Sequence, residues 1–138
     1  MYQGSYGRLG WLGIYLDLRL SFGEHVTRSA GRARTAEKRL RSIVTRHEVP
    51  PIAARHLQEA IVGSTLMYGS EVTWGGQKGM ERTFQRSING MAGASLGVLP
   101  STPDAFLQAE AGSLPARARV DRRQSAFATR LISAPGGL

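Results

Sequence analysis

The stretch that most constrains the fold is residues 60–76, AIVGSTLMYGSEVTWGG, which has no charged side chain before Glu71. At about 100° per residue, a helix here would be apolar on two opposite faces. One face holds Leu57, Ile61, Ser64 and Tyr68, and the other holds Val62 and Leu66. A helix of this kind belongs in the middle of a fold. We therefore predict that the remaining segments pack around it.

Residues that favour helix ends mark both limits of this central helix. Pro50 and Pro51 suit a first helical turn but stop a helix from running in from upstream, and Gly69 stands where a left-handed C-terminal cap is wanted. The residues that follow predict a tight turn with Trp74 as its anchor. The simplest interpretation is that Glu71 pairs locally and Trp74 packs in the core.

Length and composition exclude several classes of protein. With 138 residues and 41% hydrophobic content, the chain is long enough for one buried core and unlike a disordered chain. It has no cysteine, and its histidines (His25, His47, His56) lack a paired metal-binding spacing, so we expect no metal or other cofactor in this segment. No apolar run is long enough for a membrane span, and we expect no membrane partner. The amino end lacks the features of a secretory signal or transit peptide, so we expect the chain in the cytosol or nucleus.

The net charge of +8 is unevenly distributed. Lys and Arg outnumber Asp and Glu in residues 1–50 and again in residues 113–138, whereas residues 51–112 are nearly neutral. Two basic flanks around a neutral centre favour a polyanionic partner, and nucleic-acid phosphate is the commonest one.

The amino-terminal third predicts a strand and then a long amphipathic helix. A Gly-rich lead precedes β-branched and aromatic residues that favour a strand over residues 11–16. After a turn, the pattern predicts a helix over residues 24–46. Its apolar face holds Val26, Ala30, Ala33, Leu40 and Val44. On the opposite face four arginines fall within about 40° of one another, and we call them the arginine row: Arg28, Arg32, Arg39 and Arg46. Lys38, Arg34 and Arg41 extend the basic side.

The arginine row has two interpretations, a solvated surface or a phosphate contact. Between residues 28 and 46, seven Lys and Arg side chains are accompanied by one acid, Glu37, which lies on the apolar side where it cannot screen the row. Uncompensated like charges cost stability unless they meet a polyanion. The candidate nucleic-acid-binding residues are therefore Arg28, Arg32, Arg39, Arg46 and Lys38.

Three more helices are predicted after the Trp74 turn. They cover residues 78–96, residues 103–111 with Thr102 as the N-cap, and a last helix from about residue 115 to 132. In the last helix we expect Val120, Phe127 and Leu131 to point inward and the arginines to point mostly outward. The predicted class is mainly α, a short N-terminal strand or hairpin followed by a bundle of about five helices. Residues 1–23 form the Gly-rich lead and strand, residues 24–134 the helical domain, and residues 135–138 the start of a linker.

No arrangement of residues predicts catalysis. The sequence has no phosphate-binding loop, no nucleophile elbow and no adjacent Asp pair, and its other carboxylates are dispersed. We therefore expect no catalytic residue in this chain.

Three stretches together resemble the segment that follows the polymerase palm in reverse transcriptases of non-LTR retrotransposons, closest to fungal ones. They are WLGIYLDLRLSFGEHV, VPPIAARHLQEAIVGSTLMYGSEVTWGG and INGMAGASLGVLPSTPDAFLQAEAGSLP. The family pattern LG-x-x-LD-x-x-L-x-F-x-x-H falls on Leu12, Gly13, Leu16, Asp17, Leu20, Phe22 and His25. The pattern L-x-YG-x-E-x-x-W falls on Leu66, Tyr68, Gly69, Glu71 and Trp74. The order of the motifs is more specific than either motif alone.

This resemblance implies a role in holding a template–primer duplex. Leu12, Gly13 and Tyr15 would belong to the strand that grips the primer end, and the helices would form the thumb and connection. The implied partners are nucleic acid, a palm that carries the Mg²⁺-binding Asp residues before residue 1, and an RNase H domain after the last residue. The chain would then be a fragment of an RNA-directed DNA polymerase without its catalytic palm. Two other hypotheses stay open: a free-standing basic helical nucleic-acid-binding module, and a helical interaction protein for an acidic partner.

Overall fold

The protein is a helical bundle with a small N-terminal hairpin, seen in a computed structural model that describes residues 8–99 and 101–136. The strands are β1 (Arg8–Trp11) and β2 (Ile14–Asp17). The helices are α1 (Gly23–Arg46), α2 (Pro51–Gln58), α3 (Ser64–Met67), α4 (Ser70–Thr73), α5 (Lys78–Leu96), α6 (Asp104–Ala111) and α7 (Ala116–Ser133). A π-helical turn, Glu59–Gly63, joins α2 to α3. The predicted mainly α class is confirmed, whereas most of the Gly-rich lead and the last two linker residues lie outside the described residues.

The single strand predicted over residues 11–16 is wrong, because a turn divides it. β1 and β2 pair antiparallel, with Trp11 opposite Ile14. The two residues between them, Leu12 (φ 50°) and Gly13 (φ 79°), both have positive φ, which is the geometry of a two-residue hairpin turn. The apolar pattern runs without a break across this turn, so the sequence predicts one strand instead of two. Leucine rarely adopts a left-handed conformation, and Gly13 is therefore the one turn residue that the sequence signals here.

The central helix consists of α2, the π turn and α3, residues 51–67. As predicted, α1 and α5 pack against it. The prediction that both of its faces are buried is wrong, since Val62 and Leu66 are buried whereas Ile61 and Tyr68 are 45% and 50% exposed. The neighbouring helices of the described chain cover only one of the two faces. Gly69 is left-handed as predicted (φ 74°), and it stands directly before α4.

The hairpin, α1 and the central helix meet at His25, which is 2% exposed. Its Nδ1 accepts a hydrogen bond from the Tyr15 backbone N–H (3.4 Å), and its Nε2 donates to the Tyr68 carbonyl (2.9 Å). Because a backbone N–H only donates and a carbonyl only accepts, these two bonds fit the tautomer with its proton on Nε2. A Cβ at Gly69 would lie 3.2 Å from His25 Nε2 and 3.1 Å from Ile14 Cγ1, so this junction requires glycine there.

The main core lies between α1, the central helix, α5 and the first half of α7. Leu66, Phe84, Ile88 and Val120 are at most 2% exposed, and Trp74 stacks on Phe84 with ring centres 5.9 Å apart. The prediction that Trp74 packs in the core is thus confirmed. A smaller cluster joins α5 to α6 through Ala92, Leu107 and Ala111, with Val98 against it.

The last three helices follow the prediction with two corrections. α5 matches residues 78–96, but α6 begins after Pro103, and no side chain caps it, so Thr102 is not its N-cap. α7 buries Val120, whereas Leu131 is 41% exposed. Leu131 does not point inward because residues 128–136 are exposed throughout, so this end of the helix lies beyond the core.

Candidate nucleic-acid interface

The arginine row runs along the exposed face of α1. From Arg28 to Arg46 it spans roughly 27 Å, at about 1.5 Å per residue. The helix is favoured by alanine and arginine, which both have high helix propensity, and by Glu24 in its first turn and Arg46 in its last, which complement the helix dipole. The helix backbone thus fixes the spacing at which the arginine side chains leave it.

Three members of the row line one shallow groove of about 480 Å³. The other lining residues are small or hydroxylated: Gly31, Thr35 and Ala36 of α1 and Thr65 of α3. Nothing lies within 4 Å of the position that a Cβ at Gly31 would occupy, so the helix backbone is open to a ligand there. In the part of the chain that the structure describes, no acidic side chain lines this groove. It therefore presents positive charge to whatever enters it.

The members of the row differ in their partners. Arg28 pairs with Glu24 (Nη2 to Oε1, 2.8 Å), and this contact raises the pKa of the guanidinium. Arg32 Nη2 donates to the Tyr15 hydroxyl (3.1 Å). Among the described residues, Arg39 and Arg46 have no hydrogen-bond or ion-pair partner, and the same is true of Lys38. The acid that screens the row is thus Glu24, one turn before Arg28. The charges counted between residues 28 and 46 do not include it, because it precedes that range.

Glu37 behaves as the sequence indicated. Its Oε1 accepts a hydrogen bond from Arg41 Nη2 (3.1 Å), and Arg41 is not a member of the row. Lys38, which was predicted to bind nucleic acid, is exposed but does not line the groove. Arg46 also lies outside the groove, at the carboxyl end of α1. The structure thus brings together three of the five candidate binding residues.

Of the three primer-grip-like residues, only Tyr15 contacts the arginine row. The Arg28 guanidinium lies 4.2 Å from the centre of the Tyr15 ring, and that of Arg32 lies 5.8 Å away. Leu12 is 71% exposed at the hairpin turn, and its carbonyl accepts a hydrogen bond from the Tyr68 hydroxyl (2.6 Å). Gly13 packs against the same ring, since a Cβ there would lie 3.2 Å from Tyr68 Cε1. Leu12 and Gly13 thus hold the hairpin in place, and Tyr15 orients the arginines.

Two arginines of α7 were predicted to point outward but form structural ion pairs. Arg119 contacts both carboxylate oxygens of Glu59 at 2.7 and 2.8 Å, and it lowers the pKa of that carboxyl. Arg123 donates through Nε (3.0 Å) and Nη2 (2.7 Å) to Glu71 Oε1. The prediction that Glu71 pairs locally is wrong, because its partner is 52 positions away in the sequence. The acids on the central helix and on α4 draw these arginines inward.

The described residues hold neither a metal-binding cluster nor a membrane-crossing helix. No group of three or more His, Cys, Asp or Glu side chains is placed to hold a metal ion in residues 8–99 and 101–136. None of the helices described above combines the length and the apolar character that crossing a membrane requires.

Comparison with known proteins adds no relative. The chain has no significant match to a family model, to a curated protein or to a solved structure. The similarity to reverse transcriptases thus depends on the motif residues alone and stays a prediction.

Proposed function

We propose that this chain is a thumb and connection segment of a retrotransposon RNA-directed DNA polymerase that holds a template–primer duplex by its phosphates. It has no polymerase activity of its own. Its partners are the duplex and the palm and RNase H domains of a parent polyprotein, and Mg²⁺ would be bound by the palm.

The observation that carries this proposal is the groove of the arginine row. Three guanidinium groups line it and no acidic side chain of the described chain lines it with them, although Glu24 pairs with Arg28 from outside this lining. Tyr15 holds two of the three in place from the hairpin. Guanidinium groups suit phosphate because their planar donors can meet two of its oxygens at once. A row of roughly 27 Å covers about eight base pairs at 3.4 Å each.

The positions of the motif residues also support the proposal. Residues of the first motif, such as Leu12 and His25, contact Tyr68 and Gly69 of the second at a single junction. The junction sets the hairpin beside the amino end of the arginine row. A strand that grips a primer end and a helix that follows the duplex backbone need this arrangement.

A salt titration with an RNA–DNA hybrid tests the phosphate contact. We expect log affinity to fall linearly with log salt, and Arg39→Ala to flatten the slope by roughly 0.9, the value for one phosphate on a B-form duplex. The loss should be equal for unrelated sequences, because phosphate contacts carry no base information. Arg34→Ala is the matched control, since Arg34 is exposed on the same helix but lies outside the groove. Equal slopes for the two variants would contradict the proposal.

A second experiment tests the lack of polymerase activity. Purified protein with Mg²⁺, nucleotides and a primed template should give no primer extension, because in-line nucleotidyl transfer requires metal-binding carboxylates. Extension that co-purifies with the protein and survives a change of expression host would refute this part of the proposal.

The two other hypotheses differ from the first in measurable ways. The reading frame upstream of residue 1 separates a free-standing nucleic-acid-binding module from the thumb, because only the thumb hypothesis requires a palm with an adjacent Asp pair to be encoded there. An interaction protein for an acidic partner would bind polyglutamate more tightly than a hybrid duplex at the same salt concentration.

A further inference from the structure

A second cavity lies on another side of α1, between α5 and α6. It has a volume of about 450 Å³, and we call it the α5 pocket. α5 lines it with residues three or four positions apart, which share one helix face: Arg82, Gln85, Arg86, Asn89, Gly90, Gly93 and Ala94. Arg41 reaches it from α1, at about 140° around that helix from Arg28. The α5 pocket is therefore separate from the groove of the arginine row.

One part of the α5 pocket holds arginines that can bind an anion. Arg82 and Arg86 stand one turn apart on α5, and neither has a hydrogen-bond or ion-pair partner in the described part of the chain. Arg41 is held by Glu37 (3.1 Å). Asp104 is the one carboxylate among the lining residues that the structure describes. Because Glu37 compensates Arg41, the guanidinium groups available to an anion are those of Arg82 and Arg86, and an anion that bridges them relieves their mutual repulsion.

A buried amide in the α5 pocket has a donor to spare. Asn89 is 8% exposed, and its Oδ1 accepts a hydrogen bond from Gln85 Nε2 (2.9 Å). The Gln85 side chain is itself fixed, because its Oε1 accepts from the Ala116 backbone N–H (2.8 Å). These bonds orient the Asn89 amide so that its oxygen is used, whereas its Nδ2 donates to no group in the described residues. Nδ2 is not among the buried polar atoms that lack a partner in the described residues, so it reaches solvent, and a ligand in the α5 pocket can accept its hydrogen bond.

The remaining walls of the α5 pocket are apolar. They comprise Val98, Leu99 and Leu107 together with the glycines of α5. A Cβ at Gly93 would lie 3.8 Å from Leu107 Cδ2 and 3.9 Å from Val98 Cγ2, so a methyl group fits there and a larger side chain would enter the cavity. The α5 pocket thus combines an anion-binding part, a fixed amide donor and an apolar slot.

We propose that the α5 pocket binds a nucleotide phosphate. The phosphate group of the nucleotide contacts Arg82 and Arg86. One face of the base packs on Val98 and Leu107, and the Asn89 amide donates a hydrogen bond to the base. The volume is within the range of about 300–1,000 Å³ that is typical of small-molecule sites. The ligand is a nucleoside monophosphate unit, either free or at the 5′ end of a strand. This site is independent of the duplex contact made by the arginine row.

Calorimetric titration of the full chain tests the site with three probes: AMP, adenosine and inorganic phosphate. We expect AMP to bind with a submillimolar dissociation constant, and adenosine and phosphate each to bind at least tenfold more weakly. A 5′-phosphorylated dinucleotide and its 5′-hydroxyl counterpart distinguish the two sources. If the dinucleotide matches AMP, the pocket accepts a strand end, and if it binds tenfold more weakly, the pocket takes free nucleotide.

Three variants locate the binding. The double variant Arg82→Ala with Arg86→Ala should weaken AMP binding at least tenfold, and Gly93→Leu should weaken AMP more than phosphate by filling the slot. Gly93→Ala is the folding control for the latter, and Arg34→Ala is the charge control. The double variant should bind the duplex as tightly as a control variant that loses two exposed α1 charges outside the arginine row. Failure of the pocket proposal can therefore be distinguished from failure of the proposed function. Equal binding of adenosine and AMP, or AMP binding that survives the double variant, would overturn the proposal.

Discussion

α1 and α7 are the two arginine-rich helices of this chain, yet they use their arginines in opposite ways. In α1, Arg39 and Arg46 have no partner among the described residues, and the row faces solvent. In α7, Arg119 and Arg123 each contact a carboxylate of another helix at 2.7 Å. The difference teaches that arginine content and spacing do not decide function. The position of the acids on neighbouring elements decides it.

The two helices should therefore differ in what their arginines contribute. The Arg119 side chain is 15% exposed, and it also donates to the Leu114 carbonyl (2.8 Å) and to the Ser113 hydroxyl (2.7 Å). Charge-assisted hydrogen bonds of this kind contribute about 1.5–3 kcal/mol when they are withdrawn from water. Exposed arginines contribute little to stability, so α1 should serve binding and α7 should serve folding.

The largest expected effect is on duplex affinity. Replacing the whole arginine row with alanine should lower affinity for an RNA–DNA hybrid by roughly 10³-fold at 0.1 M salt, because each phosphate contact adds about 0.9 to the salt slope. The melting temperature should not fall, since alanine is the better helix former. Fluorescence anisotropy and thermal unfolding measure the two quantities. An unchanged affinity and slope would mean that the row is only a solvated face.

The converse change is in α7. Arg119→Ala should lower the free energy of unfolding by about 2 kcal/mol, because it leaves the Glu59 carboxylate and the Leu114 carbonyl without their partner. Duplex affinity of the folded protein should stay within the range of its control, Arg117→Ala, which removes an exposed arginine of the same helix. Urea unfolding and anisotropy measure these effects. A stable Arg119→Ala variant with weakened binding would erase the contrast between α1 and α7.

A smaller effect is expected from pH. The hydrogen bonds from Arg119 lower the pKa of the Glu59 carboxyl below its ordinary value of 4.5. A carboxyl whose pKa is lower in the folded protein than in the unfolded chain stabilises the fold at pH values above its unfolded-state pKa. This contribution is lost as the pH falls through the folded-state pKa. The wild type should thus exceed Glu59→Gln in stability by a constant amount above pH 5, and the difference should shrink below pH 4.5. A difference independent of pH would show that Glu59 acts without its charge.

The helix limits could be predicted because their signals are local. Proline precedes α2, α6 and α7, and glycines end α5 and α6 in left-handed conformations at Gly97 (φ 66°) and Gly112 (φ 56°). Each signal acts within a few residues, so one sequence suffices to find it. The hairpin turn and the π turn lack such marks, since Leu12 takes a conformation that leucine rarely adopts and Glu59–Gly63 contains no residue that requires a wider turn.

The candidate site could be predicted only where it lies within one helix. Periodicity alone put the members of the arginine row on one face of α1. The Glu24–Arg28 pair was also within reach, because acid and base four positions apart are neighbours on a helix. Thr65 and Tyr15 were not, since they reach the row through contacts between elements distant in the sequence. The partners of Arg119 and Arg123 escaped prediction for the same reason.

The smallest expected effect concerns Tyr15, where the hairpin meets the arginine row. Arg32 donates to the Tyr15 hydroxyl through Nη2 (3.1 Å), so its remaining N–H groups can meet phosphate while this hydrogen bond holds the guanidinium in place. Tyr15→Phe removes that hydrogen bond but keeps the ring beside Arg28, so the variant should bind the hybrid duplex up to about threefold more weakly, the equivalent of part of one exposed hydrogen bond. Tyr68→Phe is the control, because it removes a hydroxyl that contacts Leu12 outside the row. Unchanged or tighter binding by Tyr15→Phe would mean that the Tyr15 hydroxyl does not orient Arg32 for phosphate.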